Sequence, residues 1–126
     1  MDGNAIVKAF EDLHVYQKAY RLALEIHKIT MDFPRGEHGF SGLVSQMRRA
    51  SKGICANIAE GFAKQRASSL EFKRFITMAI ASADEMRVWL SFAKDLGYIG
   101  KSDSENLTQS YIDIAKMLSG LAKKWQ

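Results

Sequence analysis

Apolar residues recur along this chain at alternating intervals of four and three, the spacing that places them on one face of an α-helix. Four separate stretches carry the pattern, and the strict alternation typical of β-strands is absent. The sequence therefore predicts four amphipathic helices. Their stripes comprise Val15, Ala19, Leu22, Ile26, Ile29 and Phe33 in the first; Leu43, Met47, Ala50, Ile54, Asn57, Ile58 and Gly61 in the second; Phe72, Ile76, Ala79, Ala83, Met86, Leu90 and Ala93 in the third; and Leu107, Tyr111, Ile114, Leu118, Leu121 and Trp125 in the fourth.

Local signals agree with these four helices. The only proline, Pro34, stops the first helix because it cannot continue the hydrogen-bond ladder. Two S-x-x-E sequences, Ser68–Glu71 and Ser102–Glu105, are capping boxes that predict the starts of the third and fourth helices. Two glycines, at 97 and 100, predict the end of the third helix.

The connections are short enough to make successive helices antiparallel neighbours. We therefore predict an all-α fold, an antiparallel up-down-up-down four-helix bundle, as a single domain over residues 1–126 with a loose lead-in at 1–10. Gly61 either ends the second helix or lets another helix approach it closely. The chain shows no membrane-length apolar run and no secretion signal, so we expect a cytoplasmic protein.

The third helix carries a second stripe, one residue before each position of the first. A helix in a monomeric bundle needs one apolar face, and a second would expose a large patch. We interpret the second stripe as a subunit interface. The alternative is a wide core face beneath the loop at 34–42. The positions are Phe75, Met78, Ser82, Glu85, Trp89, Phe92 and Leu96.

The net charge of +4 is concentrated in one segment. Residues 48–74 hold seven basic and two acidic side chains, a net charge of +5, and the flanking segments are close to neutral. Such a cluster can hold a polyanion, because each neutralised phosphate releases condensed counterions. A solvated helix face is the alternative. The candidate phosphate contacts are Arg48, Lys52, Lys64, Arg66, Lys73 and Arg74.

We interpret four polar residues of the second helix as structural, because their hydrogen bonds would specify how helices or subunits pack. Asn57 falls within the apolar stripe, where an amide needs a hydrogen bond. Arg49 and Glu60 are too far apart along the helix to pair, so each needs a partner elsewhere, and Glu85 is the candidate partner for Arg49. Whether that pair forms within or between subunits stays open. The set is Gln46, Arg49, Asn57 and Glu60.

No group of residues indicates catalysis or metal binding. His14 and His27 lie on different sides of the first predicted helix, and His38 lies in a loop. The single cysteine, Cys55, has no adjacent base and reads as a buried structural thiol. We therefore expect a protein that is not an enzyme, with no metal and no cofactor.

Several of these residues also form motifs of a known family. From about Phe10 to the end of the fourth helix, the chain resembles the four-helix bundle proteins encoded in bacterial 23S rRNA intervening sequences. It departs from that family's usual pattern at Tyr16, Gly53, Cys55 and Ala81. The motifs are Phe33-Pro34, Gln46-Met47-Arg48-Arg49-Ala50, Asn57-Ile58-Ala59-Glu60-Gly61, Glu71-Phe72-x-x-Phe75 and Ala79-x-x-Ser82-x-x-Glu85.

The resemblance implies an antiparallel four-helix bundle. The family is similar to the accessory variability protein of diversity-generating retroelements, a ring of five bundles that works with a reverse transcriptase and RNA. The resemblance therefore implies that this chain forms a homo-oligomer, a pentameric ring, and that it binds RNA or DNA. The alternative is a protein-interaction adaptor or scaffold, whose ring binds a protein partner and has no direct nucleic-acid role. Neither alternative involves a membrane.

Overall fold

The computed structural model describes residues 6–124, which contain four α-helices and no β-strand. Two short 3₁₀ turns precede α1 and α2, at Phe10–Asp12 and Arg35–His38. Trp125, predicted in the fourth stripe, and half of the predicted lead-in lie outside the described residues. The helices are α1 (His14–Thr30), α2 (Leu43–Lys64), α3 (Ser69–Asp95) and α4 (Lys101–Lys124).

The four helices form an antiparallel bundle in which each helix packs on its neighbours in the chain. The contacts of α1 with α2, α2 with α3 and α3 with α4 are completed by a smaller contact between α1 and α4, so each helix has two neighbours. The connections after α2 and α3 are only four and five residues long, which forces reversal of the chain. The predicted fold class is confirmed. Within residues 6–124, no helix combines the length and apolar character needed to cross a membrane.

The core lies between the predicted stripes. All seven positions of the first stripe predicted on the third helix are buried, and so are nearly all of the other predicted stripe positions, including Phe33, which lies after the end of α1. Three positions differ: Ile29, Asn57 and Leu121 are only half-buried. In α2, Ile58 occupies the fully buried position, and the Asn57 amide lies at the margin of the core instead of within it.

One of the two predicted capping boxes is present as an N-cap, and the other is not. The Ser68 hydroxyl accepts a hydrogen bond from the Glu71 amide at 3.1 Å, at the start of α3. Ser102 instead lies inside α4, because that helix already begins at Lys101. The prediction of a cap at Ser102 is therefore wrong. At the end of α3, Gly97 adopts φ +81°, and the Tyr98 amide reaches back to the Ala93 carbonyl, as predicted for a glycine stop.

Gly61 lies within α2 at a position where α3 approaches closely. A β-carbon added there would lie 3.1 Å from Phe75 Cβ and 3.3 Å from the Phe72 carbonyl oxygen. Of the two interpretations of this glycine, the structure therefore supports the close approach. Further along the same crossing, a β-carbon added at Gly53 would lie 3.5 Å from Ser82 Oγ. These contacts define which turns of α2 and α3 face each other.

A carboxylate holds the long connection between α1 and α2 against the far end of α3. Glu37 accepts hydrogen bonds from the Leu43 amide at 3.0 Å and from the Tyr98 hydroxyl at 2.7 Å. The Leu43 amide and then the Tyr98 hydroxyl lower the pKa of this carboxyl below its usual value. The Tyr98 ring also packs on Phe33, with the ring centroids 5.1 Å apart.

Candidate functional site

The structure divides the basic segment 48–74 into two groups at different heights of the bundle. Lys52 and Lys64 are both exposed and both lie on α2, twelve residues apart. At 1.5 Å per residue, they are separated by about 18 Å along the helix axis. Lys64, Arg66, Lys73 and Arg74 therefore share one end of the bundle, whereas Arg48 and Lys52 lie in the other half.

Two of the six predicted phosphate contacts already have partners within the subunit. Arg48 donates hydrogen bonds to the His27 carbonyl and to the Thr30 hydroxyl, both at 3.0 Å, and so ties α2 to the end of α1. Arg74 forms a two-pronged pair with Glu71, at 3.0 and 3.2 Å, and its guanidinium lies 4.8 Å from the centre of the Phe75 ring. The pair lowers the pKa of Glu71.

Tertiary structure adds cations from distant segments to the end that carries Lys64. The Ser104 hydroxyl bonds the Leu90 carbonyl at 3.5 Å, so the beginning of α4 faces the last third of α3. From that point α4 runs back about 30 Å and ends beside the start of α3. Lys123 and Lys124 thus reach this end, and Lys8 borders the same shallow cleft as Arg66.

We call this surface the basic end. Six basic residues of this surface, which are all of those named here except Arg74, form no ion pair in the described part of the chain. Of the nearby acids, Glu71 pairs with Arg74, and Asp12 accepts hydrogen bonds from the Lys8 and Ala9 amides. Glu60 lies one turn before Lys64 on α2 and is exposed, without an ion pair in the described residues. The basic end comprises Lys8, Lys64, Arg66, Lys73, Lys123 and Lys124.

Sequence reasoning missed half of this surface. Lys8, Lys123 and Lys124 lie outside the basic segment, near the two ends of the chain. The available signal was the predicted topology, since an up-down-up-down bundle places the start of its first helix and the end of its fourth at the end where α2 meets α3. Combining that topology with the charge count would have found them.

The α3 stripe, the second row of residues predicted on the third helix, lies at the surface of the subunit on the side towards α2. Met78, Phe92 and Leu96 are 42%, 52% and 53% exposed, and Phe75 and Trp89 are half-buried. The loop at 34–42 borders only the end of the row. The stripe therefore lies outside the buried core, although Trp89 packs against the edge of that core.

The four polar residues of α2 have no side-chain hydrogen bond or ion pair within residues 6–124. Gln46 and Asn57 are half-buried, whereas Arg49 and Glu60 are exposed. The pair proposed between Arg49 and Glu85 does not form within the subunit. The Glu85 carboxylate instead accepts a hydrogen bond from the indole nitrogen of Trp89 at 3.1 Å.

A second apolar surface lies between α1 and α2, on the opposite side of α2 from the α3 stripe. This α1–α2 groove has a volume of about 270 Å³. Tyr20 and Leu24 at its edge are 51% and 49% exposed. Burial raises the pKa of the Cys55 thiol to about 11, so the thiolate is scarce at neutral pH. The groove is lined by Tyr16, Tyr20, Ala23, Leu24, His27, Lys52 and Cys55.

The fold thus defines a class of small all-helical bundle proteins, here with a basic end and two apolar surfaces beside α2. The chain belongs to the 23S rRNA-intervening sequence protein family, whose sequence model matches residues 11–120. This match confirms the family resemblance seen in the sequence motifs.

A solved structure shows the same fold. It is a crystal structure of a protein of unknown function from the S23 ribosomal protein family of Bacteroides thetaiotaomicron VPI-5482. The TM-score is 0.75 at 24% sequence identity, over 87% of this chain and 96% of that one. No curated protein matches the chain at a significant level.

Proposed function

We propose that this chain is a cytoplasmic, homo-oligomeric protein that is not an enzyme and that binds the phosphate backbone of RNA or DNA through its basic end. The observation that carries the proposal is the convergence of six cations without ion-pair partners from the lead-in, α2, the α2–α3 turn, α3 and α4 on one surface. A cation that is not neutralised by a carboxylate is free to neutralise a phosphate.

The mechanism is contact with phosphates without readout of bases. Lysine and arginine side chains at one end of the bundle can contact successive phosphates. The basic end does not present a helix that would enter a groove of the nucleic acid and contact its bases. A ring, such as the pentamer that the family resemblance implies, would present several copies of the basic end to one polyanion. Weak contacts at each copy would then combine through a high effective concentration. Oligomerisation is supported by the exposed α3 stripe, which a lone subunit leaves in water.

Binding is tested by fluorescence anisotropy of a labelled structured RNA titrated with protein at several salt concentrations. The wild type should bind tightly at low salt and lose affinity with a log–log slope of several units. A variant with Lys64→Gln, Arg66→Gln, Lys123→Gln and Lys124→Gln should bind at least about tenfold more weakly, and its slope should fall by about three.

A matched control distinguishes the surface from the total charge. Lys28→Gln, Arg35→Gln, Lys94→Gln and Lys101→Gln remove an equal number of positive charges from the opposite half of the bundle, and all four residues are exposed. Two of them, Lys94 and Lys101, lie 3.7 and 3.9 Å from the carboxylates of Asp95 and Glu105, so the variant controls for total charge. The control variant should bind as the wild type does, apart from a small non-specific loss. Equal losses of RNA affinity in both variants would contradict the assignment of nucleic-acid binding to the basic end.

Two results would overturn the proposal itself. Absence of RNA and DNA binding at low salt would favour the adaptor function, in which the bundle binds a protein partner. A wild-type mass of 14.2 kDa in light scattering behind a sizing column would contradict the oligomer.

A further inference from the structure

The α3 stripe and the α1–α2 groove are two different apolar surfaces on one subunit. The stripe is a row of large side chains on a single helix, including Trp89 and Phe92, whereas the groove is a depression between two helices with Leu24 at its edge. Soluble proteins rarely leave two such surfaces in water. Because one surface is a ridge and the other is concave, each offers the other a complementary shape.

The charges on the two surfaces are also complementary. Glu85 lies in the middle of the stripe and carries an exposed carboxylate, which has no cationic partner in its own subunit as far as residues 6–124 are described. Lys52 lines the groove and is exposed, without an acidic partner in the same range. Contact between the two surfaces would supply each charge with its missing partner.

The two charges lie at nearly the same height along the bundle. Ser82 faces Gly53 across the α2–α3 contact, so Glu85 stands level with a position three residues earlier on α2, which is Ala50. Lys52 is two residues from that position, or about 3 Å along the axis. A rotation about an axis parallel to the helices preserves height and therefore brings Lys52 of one copy level with Glu85 of another.

We propose that copies of this chain assemble head to tail, the α3 stripe of one copy packing into the α1–α2 groove of the next, with Glu85 pairing with Lys52. The inference rests on the oligomeric part of the proposed function and specifies its contact. It assigns Lys52 to the subunit contact and leaves nucleic-acid binding to the basic end.

The position of the two surfaces determines the kind of assembly. They flank α2, the groove on the side towards α1 and the stripe on the side towards α3. A contact between two different surfaces leaves one stripe and one groove free at the two ends of an open assembly, and these free surfaces are used up only when the last copy meets the first.

Two blocked variants test the head-to-tail contact. Trp89→Glu disables the stripe and keeps the groove, whereas Leu24→Glu disables the groove and keeps the stripe. Each variant alone should run as single subunits in light scattering behind a sizing column. An equimolar mixture should give two-subunit particles and nothing larger, because only one productive contact remains. Phe92→Glu, at a more exposed position, repeats the stripe block with less risk to folding.

A different outcome would overturn the contact without touching the proposed function. If Leu24→Glu assembled as the wild type does, while both stripe variants did not, the stripe would pack on some other surface and the proposal would be wrong. Two blocked variants that failed to pair on mixing, although circular dichroism showed both folded, would also refute it. A monomeric wild type would instead contradict the oligomer of the proposed function.

A charge exchange tests the pair itself. Lys52→Glu and Glu85→Lys should each weaken assembly by about tenfold or more, and the double variant should recover most of the loss. Arg49→Glu is the matched control, because Arg49 is exposed and lies one turn before Gly53, the residue that faces Ser82 of its own α3. If Glu85→Lys rescued Arg49→Glu and not Lys52→Glu, the carboxylate would pair with Arg49 and the assignment of Lys52 would be refuted.

Discussion

Two rows of apolar residues run the length of α3, one residue apart in sequence and with the same heptad spacing. The core row, which begins at Phe72 and ends at Ala93, is buried throughout because α2 and α4 pack against it. The α3 stripe, which ends at Phe92 and Leu96, has more aromatic surface but stays largely in water. Hydrophobic spacing therefore indicates that a helix face is buried, and the surface that buries it can belong to another subunit.

The two rows differ in the effect that truncating one side chain should have. A side chain in the core row is surrounded by the same chain, so its removal leaves a cavity in every subunit. A side chain in the stripe has open space on one side, so its removal leaves the subunit intact and affects only what packs on it. The four predictions below separate these effects, beginning with the largest.

Phe72→Ala and Phe92→Ala should differ most. Phe72 is fully buried, so its truncation should lower the free energy of unfolding by about 3–5 kcal/mol. Phe92 is half in water, so its truncation should change the value by less than about 0.5 kcal/mol. Urea unfolding in the Trp89→Glu background measures both without a contribution from subunit contacts. Equal losses would mean that the stripe belongs to the subunit core.

Loss of the Glu37 contact should loosen the loop beside the end of the stripe while the core row stays packed. Tyr98→Phe removes the hydroxyl bonded to this carboxylate and should cost about 1–2 kcal/mol of unfolding free energy. The expected pH dependence follows from the lowered pKa of Glu37. Its stabilisation is complete above the ordinary carboxyl pKa and is lost as the pH falls through the lowered value.

Glu37→Gln should therefore match the wild type more closely at acidic pH than at neutral pH. Thermal unfolding across that range measures the difference. A constant difference between the two proteins at all pH values would show that the carboxylate charge is not involved.

Ser68→Ala should destabilise α3 as a whole, since both rows start from this cap. Loss of the bond to the Glu71 amide should cost about 1 kcal/mol. Ser102→Ala is the matched control, because that serine has the same S-x-x-E sequence but lies inside α4. It should be nearly neutral in urea unfolding, and an equal cost at both serines would contradict the helix start at Lys101.

Substitution of the two glycines at the α2–α3 contact should give the smallest effects. Gly53→Ala places a methyl group at ordinary contact distance from Ser82, so the gain in helix propensity should stabilise the subunit by about 0.5–1 kcal/mol. Gly61→Ala should gain less, because Phe75 and the Phe72 carbonyl already crowd that position. Reversal of this order in urea unfolding would show that the two helices approach most closely near Gly53.

The sequence by itself determined the four helices, the core row of each and the family. These are local properties: the burial of every third or fourth residue, the cap at Ser68 and the glycine stop at Gly97 depend on residues within one or two turns. The same local reasoning failed at Ser102, whose motif matches that of Ser68. There the helix begins directly after Gly100, at Lys101, which is two residues too early for a cap at Ser102.

Only the tertiary structure decided which charges share a surface. Arg48 and Lys64 belong to one basic segment, but a rigid helix of 1.5 Å per residue holds them more than about 20 Å apart. Lys8 and Lys124 come from near the opposite ends of the sequence, yet antiparallel packing brings both to the end that carries Lys64. Charge acts through space, and distance through space follows the path of the folded chain, which no local pattern of residues specifies.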